Sequence, residues 1–155
     1  MYKTSFPNVF EVSTVETMKS RINKLSADTV PQWGKMNAGQ MLAHLNVAYD
    51  IAYGKIPMKY NFFMRFMFKQ FLTPIVIGDK PYDKNSRTAP VFLMEGEKDF
   101  EVEKAKLIGY IEKMAREGSD KFEGKESASF GKLTSEQWSR QFAKHFEHHC
   151  TQFGV

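Results

Sequence analysis

The sequence contains almost no cysteine, since Cys150 is the only one in 155 residues. A single thiol excludes an intramolecular disulfide and favours a reducing, cytoplasmic location. The N-terminal stretch M-Y-K-T-S-F-P has no basic region followed by an apolar run, so we expect no signal peptide. No apolar run reaches the roughly 18 residues that a membrane-spanning helix needs. The net charge of +4 comes without a dense block of lysine and arginine, which predicts no nucleic-acid partner.

The length and composition are those of one globular domain. The chain is 42% hydrophobic and 26% charged, which provides both an apolar core and a hydrated surface. We therefore expect a single domain over residues 1–155. Residues 1–11 are expected to form an irregular arm, because Pro7 and Asn8 interrupt any regular pattern.

Four stretches place apolar residues at helical spacing between capping or helix-breaking residues. They predict helices over about residues 13–26, 37–54, 99–118 and 133–153. Four amphipathic helices joined by one long crossover are typical of an all-α four-helix bundle. Because the crossover joins the second and third helices, we expect those two helices to run parallel.

The crossover contains an aromatic-rich segment at residues 60–72, with the sequence Y-N-F-F-M-R-F-M-F-K-Q-F-L. A helix here would be apolar on almost every side and would need a cover. One interpretation is a lid, a homodimer contact, or a membrane-surface helix with Arg65 and Lys69 as basic anchors. The alternative, which we favour, is a helix buried across the bundle.

Histidine is also scarce, and three of the four histidines lie between positions 145 and 149. His145 and His149 are one turn apart on the apolar stripe of the last helix, so both rings can reach one metal ion. His44 lies on the apolar stripe of the second helix, and bundles build metal sites from facing helices. These three residues therefore form a candidate metal site. The stripes consist of Trp138, Phe142, His145, His149 and Phe153 in the last helix, and of Met41, His44, Ala48 and Ile51 in the second.

The same histidines can also be explained without a metal ion. A lone histidine such as His44 on an apolar face is commonly a hydrogen-bonded core residue. The C-terminal histidines can also act as cations near a helix C-terminus, where positive charge is favourable. The sequence lacks the H-E-x-x-H motif of zinc proteases, because Phe146 stands where that motif has its glutamate. Glu147 is predicted to point away from the histidine stripe, so no general base is apparent.

Four further residues are candidates for the surroundings of the site. Asn37 and Gln40 share a face with the histidine of the second helix, although capping of that helix explains both equally well. Tyr49 is a candidate polar group near the site. His148 lies about 100° around the helix from His149, so it would face solvent or support the site from behind. None of the four is assigned as a catalytic acid or base.

Two segments carry more specific motifs, W-G-K-M-N-A-G-Q-M-L-A-H-L-N at 33–46 and S-F-G-K-L-T-S-E-Q-W-S-R-Q-F-A-K-H-F-E-H-H-C-T-Q-F-G-V at 129–155. They resemble the DUF1569 family of the DinB/YfiT-like superfamily. The resemblance implies an up-down-down-up four-helix bundle with one metal ion held by three histidines, one from the second helix and two from an H-x-x-x-H motif in the fourth. In this sequence these are His44, His145 and His149.

The resemblance also implies a chemistry. Relatives in the superfamily include thiol S-transferases, a mycothiol-dependent isomerase and proteins described as metal-dependent hydrolases. Family members often have His-Pro just before an F-F-G-K-L stretch, and this chain has Ser127 and Ala128 at those two positions. That departure leaves the choice of substrate open and does not touch the three histidines.

Two functional hypotheses follow. In the first, a divalent ion, Zn or Ni before Fe or Mn, lowers the pKa of water to about 7 or binds a thiol as thiolate. The chain would then be a thiol-dependent transferase or isomerase, or a hydrolase, acting on a small-molecule substrate. In the second, the chain is a non-enzymatic, metal-stabilised binding module, and residues 60–72 dock a partner, a lipid or a second copy.

Overall fold

The computed structural model describes residues 6–155, so residues 1–5 of the predicted arm lie outside the described residues. Within that range the chain is mostly helical, with seven α-helices and one short antiparallel sheet. The helical class agrees with the prediction, and the four predicted helices correspond to α1, α2, α5 and α7. The elements are α1 Val12–Asn23, α2 Ala38–Ala52, α3 Phe62–Phe71, α4 Thr73–Val76, a 3₁₀ turn Pro90–Phe92, α5 Phe100–Glu117, α6 Ser119–Phe122, β1 Glu126–Ser127, β2 Gly131–Lys132 and α7 Ser135–Gln152.

Two helices that matter for the site begin with capping boxes. Asn37 caps α2, since its side chain accepts from Gln40 N at 2.8 Å while Gln40 Oε1 accepts from Asn37 N at 3.0 Å. Thr134 and Gln137 repeat this exchange at the start of α7. Each box satisfies two backbone N–H groups that have no partner within the helix. Contacts between residues three positions apart therefore determine where each helix begins, and this sets how far along the helix its histidines lie.

Helices α2 and α5 run in the same direction. Asn46 Nδ2 donates to the backbone carbonyl of Glu103 at 3.0 Å. Further along both helices, the Tyr53 hydroxyl donates to the Glu117 carboxylate at 2.8 Å. Because the contacts advance together along the two helices, α2 and α5 are parallel, as the long crossover predicts.

Helix α7 runs opposite to α2. His44 of α2 lies beside His145 and His149, with ring centroids 4.9 and 4.5 Å away. Tyr49, further along α2, packs against Phe142, which comes earlier in α7, at 4.4 Å. This antiparallel packing brings the apolar stripes of the two helices together, and their histidines with them.

Helix α1 runs in the same direction as α7. Just before α1, Val9 N donates to Ser139 Oγ at 3.0 Å. Near its end, Arg21 Nη2 donates to the Glu147 carboxylate at 3.3 Å. Glu147 therefore points away from the histidine stripe, as predicted. The core lies between these helices and includes the fully buried side chains of Ile22, Met41, Leu42, Leu107, Ile111, Met114, Phe122 and Cys150.

The aromatic-rich crossover differs from the favoured prediction. Residues 62–71 do form a helix, α3, but none of its residues is buried. Phe62, Phe63 and Phe71 are 87%, 67% and 62% exposed. The prediction of a helix buried across the bundle is therefore wrong. The core is already filled by side chains of the longer helices, and α3 reaches it only through Phe68. Within the described residues, no helix combines the length and apolar character needed to cross a membrane.

Candidate metal centre

Three histidine rings meet where α2 crosses α7. One ring nitrogen from each of His44, His145 and His149 lies within 4.8 Å of the other two. The Nε2 atoms of His44 and His145 are 2.9 Å apart. His44 and His149 are buried, at 5% and 7% exposure, and His145 is half-buried. The helical stripes thus predicted correctly which three histidines come together.

The backbone of the crossover orients the His44 ring. His44 Nδ1 lies 2.9 Å from the carbonyl oxygen of Phe92, in the 3₁₀ turn that precedes α5. A carbonyl only accepts, so Nδ1 carries the proton and Nε2 has the free lone pair. That lone pair points at the other two rings. The side chain of Phe92 packs against His44 and His145, with ring centroids 5.3 and 5.9 Å away.

A glutamine orients the His149 ring in the same way. Gln152 Nε2 donates to the carbonyl of Trp33 at 2.8 Å, which turns its Oε1 toward His149. His149 Nδ1 donates to that Oε1 at 2.7 Å. The free lone pair of His149 is therefore also on Nε2. Such outer hydrogen bonds are characteristic of metal-ligating histidines, where they select the tautomer and hold the ring plane.

The electrostatics of the cluster favour neutral rings. Burial lowers the pKa of His44, and it lowers that of His149 to about 3, with the neighbouring imidazoles adding to the effect. Burial and the rings of His149 and His44 lower the pKa of His145 well below its usual value. A neutral imidazole is the form that binds a metal ion. At neutral pH the cluster therefore presents uncharged nitrogen donors.

The donor set fits a divalent transition-metal ion. Imidazole binds Zn²⁺ at about 2.0–2.1 Å, which places the donors of a tetrahedral site roughly 3.3 Å apart. The Nε2 atoms of His44 and His145 are 2.9 Å apart, which is slightly shorter than that value. No two of the three candidate nitrogens are more than 4.8 Å apart. Within residues 6–155 the cluster has no carboxylate or thiolate member. Three neutral ligands leave a bound ion its full charge.

His148 lies beside this cluster. Its ring lies 4.9 Å from that of His149 and makes edge contacts with Trp33 and Tyr82 at 5.8 and 5.6 Å. Burial lowers its pKa. His148 is thus packed between the segment before α2 and the crossover, beside the candidate ligands.

The other predicted surroundings lie elsewhere. Asn37 and Gln40 are committed to the cap of α2, and Gln40 Nε2 also donates to the Gly96 carbonyl at 3.0 Å. Tyr49 packs in the aromatic core between Tyr110 and Phe142, with ring centroids 5.2 and 4.4 Å away. The contacts described for these three residues thus join them to helix ends and core, and none involves a histidine ring.

Two basic residues of α7 attach the crossover to this helix. Lys144, only 1% exposed, donates from Nζ to the Gly78 carbonyl at 3.0 Å and also to the Ile75 carbonyl. Arg140 Nη1 donates to the Ile77 carbonyl at 3.2 Å. These bonds satisfy carbonyls at the C-terminus of α4, where cations are favourable. The crossover is thereby attached immediately before His145.

The residues that orient the rings were not predicted. Phe92 acts through its backbone carbonyl, for which the sequence carries no signature. Gln152 had a detectable signal, because it follows His149 at the i+3 spacing of neighbours on one helix face. A search for amides one turn from each candidate ligand would have found it.

Comparison with known proteins adds a family. The family described as "Protein of unknown function (DUF1569)" matches residues 8–154, which is nearly the whole chain. No curated protein and no solved structure matches this chain. The match includes both segments that carry the candidate ligands. The chain therefore belongs to the DUF1569 family.

Proposed function

We propose that His44, His145 and His149 bind one divalent metal ion, Zn or Ni before Fe or Mn, and that the protein is a metal-dependent enzyme. The supporting observation is the convergence of three buried or half-buried imidazoles from helices about a hundred residues apart. In two of them Nδ1 donates its proton to an oxygen acceptor, which leaves the lone pair of Nε2 available to a metal ion. A histidine that only fills the core would not need two further imidazole rings within 4.8 Å of its own nitrogen.

We further propose that α1, α2, α5 and α7 form the up-down-down-up bundle of the DinB/YfiT-like superfamily. The directions of these helices support it, since α1 accompanies α7, α2 accompanies α5, and α2 opposes α7. In such a bundle the first and last helices point one way and the middle two the other.

The proposed reaction uses a nucleophile activated at this site. A bound divalent ion supplies Lewis acidity, which lowers the pKa of a thiol or of water. The chain's own residues orient the three rings, exclude water on the buried side, and leave the half-buried side of His145 toward the substrate. We favour transfer or isomerisation with a low-molecular-weight thiol, and hydrolysis of a small molecule is the other candidate reaction.

The first experiment measures metal content. Purified protein is expected to hold about one ion per chain, and His149→Ala is expected to lose most of it because two ligands bind far more weakly than three. The matched control is His148→Ala, which removes a neighbouring ring of the same type and should retain the ion. Equal metal content in the His149 and His148 variants would contradict the site.

The second experiment tests activity. Metal-loaded and chelator-treated protein are screened with low-molecular-weight thiols plus electrophilic co-substrates, and with ester and amide substrates. Turnover that needs both the ion and His149 supports the enzyme. A stoichiometric ion with no turnover in either screen would instead indicate a structural metal.

A further inference from the structure

Helix α3 presents a large apolar surface that the described residues do not cover. Six of its phenylalanine and methionine side chains are between 36% and 87% exposed, although residues of these two types are usually buried. We call this surface the α3 face; it consists of Phe62, Phe63, Met64, Phe66, Met67 and Phe71. Exposed apolar patches on this scale mark interaction sites rather than ordinary surface.

The α3 face is held outward by contacts on the opposite side of the helix. Phe68 packs against the core and meets the Tyr60 ring at 4.8 Å. Arg65 Nη2 donates to the Glu126 carboxylate at 2.5 Å, which ties α3 to β1. Asn61 caps the helix by accepting from Met64 N at 2.8 Å. The orientation of the face is therefore determined by anchors that would remain in place when the face is covered.

The charged residues of the stretch that contains α3 are all basic, and outside it Glu126 of β1 pairs with Arg65. Residues 51–78 contain no aspartate or glutamate. The same stretch contains Lys55, Lys59, Arg65 and Lys69. Lys59, Lys69 and Lys55 are exposed. An apolar helix face bordered by exposed lysines is the pattern of a helix that lies in a bilayer interface.

We propose that the α3 face docks the protein onto the surface of an anionic lipid bilayer. The phenylalanine and methionine side chains would enter the boundary of the acyl chains, while Lys59 and Lys69 meet acidic headgroups. Ten residues of helix extend about 15 Å, half of the hydrocarbon thickness, so α3 lies along the surface and does not cross it.

A second copy of the chain fits this surface less well. Most dimers are two-fold symmetric, so the same patch faces itself across the interface. Pairing two α3 faces would bring the lysines of both copies to one interface, with no acidic residue of 51–78 to offset them. Acidic headgroups offset these charges directly.

The test is co-sedimentation with vesicles, which needs neither a metal ion nor an activity. Wild-type protein is mixed with vesicles of phosphatidylcholine alone or with about a third phosphatidylserine, and we expect binding at least tenfold tighter to the acidic vesicles. The variant Phe62→Ser/Phe63→Ser should reduce binding by about tenfold or more. The variant Lys59→Gln/Lys69→Gln should remove most of the preference for acidic lipid.

The matched control is Val12→Ser/Val30→Ser, which removes exposed apolar side chains from α1 and from the loop before α2 and should leave binding unchanged. Circular dichroism checks that each variant is folded, and the lysine variant keeps the test decisive if the phenylalanine variant unfolds. Equal binding to neutral and acidic vesicles, or no binding, overturns the proposal. A dimer that dissociates in the phenylalanine variant, without vesicle binding, overturns it in favour of self-association.

Discussion

Gln152 joins His149 to the backbone of Trp33, since its Oε1 accepts from His149 Nδ1 at 2.7 Å and its Nε2 donates to the Trp33 carbonyl at 2.8 Å. The loop before α2 and the end of α7 are thus connected through one amide. A ring held in this way keeps its Nε2 lone pair aimed at the other histidines.

Removing this amide should weaken metal binding. We expect Gln152→Ala to raise the dissociation constant about 10–100-fold, because the His149 ring loses its orienting acceptor. The control is Gln40→Ala, which lies in the cap of α2 and should change metal affinity less than about threefold. Competition with a chromophoric chelator measures both. Equal affinities for the two variants would show that Gln152 is not an orienting residue.

Metal removal should lower thermal stability. A ligand at a hundred times its dissociation constant stabilises the folded state by about 2.7 kcal/mol. For a chain of this size that corresponds to roughly 5–10 °C in Tm. Calorimetry with and without a chelator is expected to show this difference in the wild type and not in His149→Ala. A chelator effect that persists in His149→Ala would point to an ion bound elsewhere.

The single cysteine should be inert in the folded protein. Cys150 is 1% exposed, and burial raises the pKa of its thiol to about 12. At pH 8 the group is below that pKa and stays protonated, whereas the thiolate is the reactive form. Dithionitrobenzoate should therefore titrate almost no thiol in native protein and one thiol per chain in denaturant. Fast native labelling would contradict this burial.

The buried ammonium group of Lys144 should matter for stability. Lys144→Met keeps the volume of the side chain but leaves the Ile75 and Gly78 carbonyls without their donor. An acceptor that loses its partner in such a place costs about 1–3 kcal/mol, so for the two carbonyls we expect the free energy of unfolding to fall by about 2–6 kcal/mol. Urea unfolding measures the loss, and Lys69→Met on exposed α3 is the control with little expected change. A loss as small as in that control would mean that water replaces Lys144 without cost.

The candidate ligands could be predicted because they obey helical periodicity. His145 and His149 repeat at i and i+4, and His44 repeats with the apolar residues of α2, so their inward direction followed from the sequence. Capping residues gave the helix starts within two residues. The match over residues 8–154 agrees with the family that these segments resemble.

The crossover could not be predicted in the same way. The composition of residues 60–72 shows that a surface must be covered but not by what, because apolar side chains have no preferred partner. Phe92 reaches His44 from 48 positions away through a carbonyl, an atom that every residue possesses. The strands β1 and β2 have two residues each, too short for an alternating pattern to appear.

The carbonyl of Phe92 has one more consequence. It is the only described oxygen that His44 Nδ1 contacts. The position of the 3₁₀ turn therefore determines whether the hydrogen bond that selects the His44 tautomer is formed. A molecule that pulled the turn away would leave the Nδ1 proton without its acceptor and would weaken the binding of the proposed ion. By thermodynamic linkage, binding of the proposed ion would favour the position of the turn that contacts His44, and the coupling free energy would be the same in both directions.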